Sequence, residues 1–250
     1  MEGNAKREKV LGASVDSLRL DRAMSLTKSY LNDSLLNKIY FVSTQTSILA
    51  QDEEEIAQFL EGLDLVLPGD QNIEEAVNGK EKSSEELPYI LHYLYQLFAR
   101  FDRTKNSLYI VGKEEEKVEL LMEMLKENYP NMKISGGIST ADRALLVNDI
   151  NTVVPNVVLF FFPVTELKQF LDEHGRSINT KLAICVEDID ILIDGRIEKI
   201  PALIEKLHLE GVYQFFVRKK IISPTIQDSI FKKRLKEAEQ RKQEESKNKV

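Results

Sequence analysis

Residues 157–162 read VVLFFF, an unbroken apolar run with an asparagine directly before it and a proline directly after it. A short run of this kind is typical of a β-strand buried on both faces, as in a parallel sheet covered by helices. Five further runs are predicted as strands, with helical patterns between them: residues 39–43, 63–67, 108–111, 133–135 and 182–186. This alternation predicts an α/β fold with an open, mostly parallel sheet and helices on both faces.

Three helices are predicted in detail between these strands. Asp52 is the predicted N-cap of the first, and Gly62 is expected to end it in the left-handed conformation. The second begins after Ser84 and carries apolar residues at spacings of three and four, and the third covers residues 113–128. Each has an apolar face that can cover the sheet.

The composition is that of a globular protein. The chain has 250 residues, of which 42% are hydrophobic and 30% charged, which excludes a disordered chain, a collagen-like repeat and a disulfide-stapled miniprotein. The single cysteine, Cys185, cannot form an internal disulfide, and in a predicted buried strand it packs as a small apolar group. No run reaches the ~18 apolar residues of a spanning helix and no signal peptide is recognisable, so we expect a cytoplasmic protein.

The net charge of −7 is unevenly distributed. Residues 218–250 contain eleven Lys and Arg against five Asp and Glu, whereas the first 217 residues contain twenty-three against thirty-six. A basic segment favours an anionic partner, such as a phosphate or an anionic membrane surface bound peripherally, although a solvated terminal helix explains it equally well. We expect an α/β domain over residues 1–198 and a helical basic appendage over residues 199–250, which frays beyond about residue 241.

Candidate binding residues follow from the sheet, because open α/β sheets bind ligands beyond the carboxyl ends of their strands. Asp70, on the turn after the second strand, could accept a proton from a bound hydroxyl, or it could be the N-cap of the next helix. Gly136 and Gly137 indicate either a backbone turn close to a ligand or a plain tight turn. The other selected positions are Ser43, Gln45, Gly112, Pro163, Glu166, Glu187 and Asp188.

No cofactor is predicted. The three histidines have no second His, Cys or carboxylate at a metal-ligand spacing, so a metal site is not expected. The glycine-rich signatures of dinucleotide-binding and P-loop proteins are missing after the first strand. Nucleic acid is not among the expected partners.

The order of several segments resembles the WecG/TagA/CpsF glycosyltransferases of bacterial surface-polymer synthesis. Residues 11–18 (LGASVDSL) are similar to the first strand of that family, and residues 63–68 (LDLVLP) to its strand before a P-D-G turn. Pro163 and Glu166 match two residues of its G-x-P-x-Q-E turn. Residues 195–213 align without a gap to its C-terminal motif. The resemblance covers nearly the whole chain and implies a Rossmann-like fold.

The resemblance also implies a function. Members are taken to transfer an N-acetylhexosamine of the ManNAc type, with inversion and without a required metal, from a UDP-sugar to a sugar acceptor on undecaprenyl diphosphate. It implies Asp70 as the catalytic base with Ser43 beside it. It further assigns Arg218, Lys219 and Lys220 to the lipid diphosphate or the membrane. The substrate-binding positions are then Gln45, Gly112, Gly136, Gly137, Pro163 and Glu166.

Several site positions depart from the family pattern. The P-D-G turn reads Pro68-Gly69-Asp70, which displaces the acid by one residue, and Glu187 and Asp188 stand where the family has small residues. Carboxylates there repel a diphosphate. Two functions therefore stay open: a glycosyltransferase with an altered donor or acceptor, or a catalytically inactive paralogue that binds a nucleotide sugar or scaffolds a partner. Self-association into a homo-oligomer also stays open.

Overall fold

The computed structural model describes residues 7–79, 88–138, 142–194 and 226–247. In these ranges strands and helices alternate along the chain. Their bounds are β1 Arg7–Val10, β2 Ala13–Asp16, α1 Leu20–Leu31, β3 Asn37–Val42, α2 Thr44–Asp52, α3 Glu54–Glu61, β4 Leu65–Pro68, α4 Gln71–Asn78, α5 Tyr89–Thr104, β5 Ser107–Gly112, α6 Glu115–Asn128, β6 Lys133–Ile138, α7 Arg143–Val153, β7 Val157–Phe160, α8 Val164–His174, β8 Leu182–Cys185, α9 Asp190–Asp194 and α10 Ile226–Lys247.

Strands β3 to β8 form one sheet in the order β4-β3-β8-β7-β5-β6, and every neighbouring pair is parallel. The predicted parallel sheet with helices on both faces is thereby confirmed. Because the strands are parallel, their carboxyl ends all lie at one edge. β8 lies between β3 and β7, so the residues that follow β8 are in the middle of that edge.

Both faces of the sheet are buried, which explains the apolar character of its strands. Along β3, Ile39 and Phe41 face one hydrophobic core, and Tyr40 and Val42 face the other. The first core lies under α1, α5, α6 and α9, whereas α2, α3, α7, α8 and the antiparallel hairpin of β1 and β2 cover the second. Since successive side chains point to opposite faces, a strand covered on both sides has no position left for a solvated residue.

The first predicted helix differs from the structure at both of its ends. Ser43 is an N-cap directly after β3, so α2 begins at Thr44 and Asp52 is its last residue. A second helix, α3, follows after Glu53, and the predicted N-cap at Asp52 is therefore wrong. Gly62 has a φ of −78°, so the predicted left-handed stop is also wrong. The cap at Ser43 starts the helix early because its side chain accepts the N–H of the first turn.

The remaining predicted elements agree more closely. The helix predicted over residues 113–128 is α6, Glu115–Asn128. Ser84, the predicted start of the apolar helix, lies outside the described residues, and α5 is described from Tyr89. β6 continues three residues beyond its predicted end, so Gly136 and Gly137 lie inside this strand and not on a turn after it.

The C-terminal helix α10 packs on the face of the sheet that α2 covers. Phe231 is 1% exposed and belongs to the second core, with Leu235 and Ala238 packed against it. Arg234 Nη1 contacts Asp52 Oδ1 at 2.7 Å and Gln51 Oε1 at 3.2 Å. Across the residues that the structure describes, none of the helices is long and apolar enough to cross a membrane.

Candidate active site

Seven of the predicted site residues follow the carboxyl ends of the sheet strands: Ser43, Gln45, Asp70, Pro163, Glu166, Glu187 and Asp188. Backbone hydrogen bonds continue the parallel pairing past these ends: the Gly69 N–H donates to the Val42 carbonyl at 2.8 Å, and the Val186 N–H donates to the Phe160 carbonyl at 2.9 Å. The turns after β3, β4, β7 and β8 therefore start at the same level. Ser43, Asp70, Pro163 and Glu187 are on these turns.

The first turn of α2 brings several polar groups to this edge. The Ser43 hydroxyl accepts the backbone N–H of Thr46 at 3.1 Å and donates to Thr46 Oγ1 at 3.3 Å. Thr44 and Thr46 are buried, whereas Gln45 is exposed on the same turn. A helix N-terminus with free N–H groups attracts negative charge, and here the nearby carboxylate of Asp70 receives one of them.

Asp70 caps α4 and also contacts the first turn of α2. Its Oδ1 accepts the backbone N–H of Ile73 at 3.0 Å, and its Oδ2 accepts the backbone N–H of Thr44. The N-cap interpretation is thus confirmed, and it coexists with a position at the carboxyl edge beside Ser43. Desolvation by burial raises the pKa of the Asp70 carboxyl, the two N–H groups lower it, and the charge of Asp228 raises it further.

The order Pro-Gly-Asp at this turn has a packing reason. A Cβ added to Gly69 would lie 2.8 Å from the Val42 carbonyl oxygen and 2.9 Å from Phe41 backbone atoms. Only glycine allows this approach between β3 and the turn after β4. Asp70 is consequently the first residue of the turn whose side chain is clear of the neighbouring strand.

The three other predicted glycines are explained by close packing inside strands. A Cβ at Gly112 would lie 2.7 Å from Val118 Cγ2, and one at Gly136 would lie 2.6 Å from Met122 Sδ. A Cβ at Gly137 would meet the Tyr109 hydroxyl. The expected turn at residues 136–137 is wrong, because both glycines pair with β5 as part of β6.

Pro163 and Glu166 lie at the start of α8, with Pro163 as the N-cap residue and Glu166 in the first turn. Glu166 Oε2 pairs with Nζ of Lys113, the residue directly after β5. The Glu166 side chain is 16% exposed and the Lys113 side chain is 52% exposed, so about half of the lysine side chain is accessible to solvent. Sequence reasoning missed Lys113, because a single lysine after a strand carries no distinguishing signal.

Glu187 accepts two side-chain hydroxyls at the centre of the edge. The Tyr40 hydroxyl donates to Glu187 Oε1 at 2.5 Å, and the Thr46 hydroxyl donates to the same oxygen. Burial first, and then the charge of Glu187, raise the pKa of the Tyr40 hydroxyl well above its usual value. The sequence identifies Glu187 as a departure from the family pattern. It does not identify Tyr40 and Thr46, because a tyrosine in a strand and a threonine in a helix carry no distinguishing signal.

The neighbouring acidic residues have local roles. Asp188 Oδ1 accepts the Asp190 backbone N–H at 2.8 Å, where α9 begins. Asp190 Oδ2 pairs with Lys117 Nζ at 2.8 Å, and Glu114 pairs with the same ammonium at 3.0 Å. Lys117 therefore offsets part of the charge of Glu114 and Asp190, and not that of Glu187 or Asp188.

Cys185 is buried and donates to the Phe162 carbonyl at 3.5 Å, and burial raises the pKa of its thiol well above the usual value. The described ranges contain no group of three or more His, Cys, Asp or Glu residues arranged to hold a metal ion. Arg218, Lys219 and Lys220 lie outside the described residues, as do residues 195–213.

These features define an α/β protein with a Rossmann-like parallel sheet and a polar site at the carboxyl edge. The family model described as the glycosyl transferase WecG/TagA/CpsF family matches residues 8–222. The match spans most of the 250 residues, so the chain belongs to this glycosyltransferase family. A search among curated proteins gave no match.

Proposed function

We propose that this chain transfers an N-acetylhexosamine of the ManNAc type from a UDP-sugar to a sugar acceptor on a lipid diphosphate. The acceptor lipid is undecaprenyl diphosphate, and the product serves cell-surface polysaccharide or teichoic acid synthesis. One observation carries the proposal: a glycosyltransferase-family chain has Asp70, a carboxyl with a raised pKa, at the carboxyl edge of its sheet. This edge is where open parallel sheets bind their ligands.

Asp70 is suited to act as the general base of an inverting transfer. The acceptor hydroxyl oxygen attacks the anomeric carbon of the donor, the bond from that carbon to UDP breaks, and Asp70 takes the hydroxyl proton. The Asp70 carboxylate accepts two backbone N–H groups and the Thr44 side chain, and its two oxygens have about four acceptor sites, so one site is left for the proton. A raised pKa supports this role, because a base is most effective when its pKa approaches the working pH.

Cations and hydroxyls around Asp70 complete the proposed site. Ser43 contributes a hydroxyl next to the base, and the half-exposed Lys113 is suited to the UDP diphosphate once its ammonium exchanges the Glu166 carboxylate for a phosphate. Arg218, Lys219 and Lys220 are proposed to meet the lipid diphosphate or the membrane surface. The further substrate-binding residues proposed are Gln45, Gly112, Gly136, Gly137, Pro163 and Glu166.

A second candidate function is a catalytically inactive paralogue that binds a nucleotide sugar or scaffolds a partner. The carboxylates of Glu187 and Asp188 favour it, because they add negative charge beside the proposed diphosphate position. The Lys117 ammonium is shared by Asp190 and Glu114, so it does not offset the charges of Glu187 and Asp188. The family match and the position of Asp70 at the carboxyl edge favour the transferase, which is the function that we propose first.

The test combines binding with turnover. In a thermal-shift series with UDP, UDP-N-acetylmannosamine, UDP-N-acetylglucosamine and ADP, we expect the uridine ligands to raise Tm by roughly 5–10 °C at 100-fold excess over Kd. Sugar transfer is then measured with a short-chain lipid-diphosphate-linked N-acetylglucosamine. Binding and transfer with inversion support the transferase. Binding without transfer supports the inactive paralogue that binds a nucleotide sugar. The absence of any uridine-specific shift overturns the transferase and is compatible only with the paralogue that scaffolds a partner.

A further inference from the structure

Glu187 is held in one orientation before any ligand arrives. It follows β8, the strand between β3 and β7, and one of its oxygens receives the hydroxyls of Tyr40 and Thr46. Tyr40 is fully buried and Thr46 is 1% exposed, so both donors belong to the packed interior. Fixing the carboxylate in this way removes most of the ordering cost that a surface glutamate bears when it binds a ligand.

The second oxygen of Glu187 is available to a ligand. Within the described part of the chain, Oε2 has no hydrogen-bond partner, and the side chain is half-buried. An ionised carboxylate only accepts hydrogen bonds, so it needs a donor such as a hydroxyl or an amide N–H. Glu187 therefore offers a fixed acceptor at the middle of the carboxyl edge.

The neighbours of Glu187 connect it to the proposed catalytic group. Thr46, which donates to Glu187, also contacts the Ser43 hydroxyl at 3.3 Å, and both belong to the first turn of α2. The backbone N–H of Thr44, on the same turn, donates to Asp70. Glu187 and Asp70 thus both contact the first turn of α2.

The chemistry of the ligand follows from the charge. A diphosphate is anionic and offers no donor at neutral pH, so it is repelled by Glu187, whereas a hexosamine offers hydroxyls and an acetamido N–H. We propose that Glu187 binds the sugar ring of an N-acetylhexosamine, its Oε2 accepting a hydroxyl or acetamido hydrogen, and that it thereby selects the sugar. This inference rests on the proposed function. The bound sugar is either the one that is transferred from the UDP donor or the one on the lipid-linked acceptor, and the test distinguishes the two.

The test uses Glu187→Gln, whose amide oxygen can still accept the Tyr40 and Thr46 hydroxyls. Affinities of full-length protein for UDP and for UDP-N-acetylhexosamines are measured by calorimetry, and KM and kcat with the lipid-linked acceptor. If Glu187 binds the donor sugar, the variant loses about 10- to 100-fold in affinity for the UDP-sugar and less than about twofold for UDP. If it binds the acceptor sugar, the KM for the acceptor rises by about the same factor while donor affinity stays constant.

Other outcomes overturn the inference. Equal losses for UDP and UDP-sugar indicate a structural role, an increased affinity for both indicates a residue that repels phosphate, and unchanged binding and KM indicate no role. A parent protein that binds neither ligand contradicts the proposed function itself, and the inference with it. Asp188→Asn is the matched control, because it removes the adjacent charge and keeps a side chain that can cap α9. If Glu187→Gln does not fold, Tyr40→Phe is used in its place, because it removes one of the two hydroxyls that hold the carboxylate. The inference then requires a loss of affinity for the UDP-sugar, or a rise in the acceptor KM, that is smaller than the 10- to 100-fold expected for Glu187→Gln, with UDP affinity unchanged.

Discussion

Asp228 of α10 interacts as a like charge with Asp70 at the carboxyl edge. The Asn72 side-chain N–H donates to Asp228 Oδ1 at 2.6 Å and to Thr44 Oγ1 at 3.2 Å. Burial raises the pKa of Asp70 most, and the charge of Asp228 adds to that rise. The C-terminal helix therefore takes part in setting the protonation of the candidate base.

Asp228→Asn is expected to extend activity to lower pH. An ionised Asp228 disfavours the ionised form of Asp70, so neutralising it lowers the Asp70 pKa, and the base remains ionised at more acidic pH. The asparagine oxygen can still accept the Asn72 N–H. The acidic limb of the kcat/KM profile should consequently shift to lower pH. Glu237→Gln, a substitution at an exposed position of the same helix, should leave the limb at its original pH. If the acidic limb of Asp228→Asn stays at the same pH or shifts to higher pH, the assignment of Asp70 as the base is contradicted.

Asp70→Asn is expected to remove turnover while the protein stays folded. The asparagine oxygen can still accept the Ile73 N–H, so α4 keeps its cap, but the asparagine NH2 group cannot accept the Thr44 N–H that Oδ2 of Asp70 accepts. We therefore expect a folded protein whose Tm is lowered by roughly 2–10 °C. Loss of general-base assistance should lower kcat by ~10²-fold or more, with UDP-sugar affinity nearly unchanged. Asp142→Asn is a control for the capping function alone, since a single oxygen of Asp142 accepts the N–H groups at the start of α7. A fully active Asp70→Asn protein shows that another group takes the proton.

Lys113→Ala is expected to weaken UDP and UDP-sugar binding equally. An accessible ammonium that pairs with a phosphate contributes the same interaction to both ligands, and its loss should cost about tenfold in Kd. Calorimetry measures both constants, and Lys126→Ala removes the same charge from an exposed position in α6 as a control. If UDP binds to the Lys113→Ala protein as tightly as to the parent protein, Lys113 does not contact the diphosphate.

The sheet and the residues at its carboxyl edge could be predicted because they depend on local patterns. The apolar runs predict strands buried on both faces, and the parallel arrangement then places Ser43 and Asp70 at the same edge. The structure confirms that edge, and the Thr44 N–H bond to Asp70 joins the two turns directly. The helix after β3 was misplaced because its signal is weak: α2 reads TQTSILAQD, which has little apolar periodicity.

The hydroxyl pair on Glu187 could not be predicted, because it depends on which strands become neighbours. Tyr40 and Glu187 are 147 positions apart in the chain, and they meet only because β8 inserts between β3 and β7. The apolar pattern of the strand predicts that Tyr40 is buried, but it does not predict the partner of the Tyr40 hydroxyl. The strand order is set by long-range packing, so the chemistry between non-consecutive strands appears only in the folded protein.

Peripheral membrane binding by α10 is expected to be electrostatic. Phe231 is in the core and Arg234 pairs with Asp52, so neither is free for lipid, whereas Lys232, Lys233 and Lys236 are exposed. Each accessible lysine contributes ~1 kcal/mol near an anionic leaflet, so replacing these three with alanine should weaken binding by roughly 100-fold at low salt.

Co-sedimentation with phosphatidylglycerol vesicles measures this loss, and added salt should weaken the parent protein in the same direction. The control replaces three exposed lysines elsewhere, Lys9, Lys28 and Lys126, with alanine and so gives the same net charge. The two variants differ only in the position of the lost charges. If the control binds vesicles as weakly as the α10 variant, the loss is a general effect of net charge. An α10 variant that sediments as well as the parent shows that the helix does not make the membrane contact.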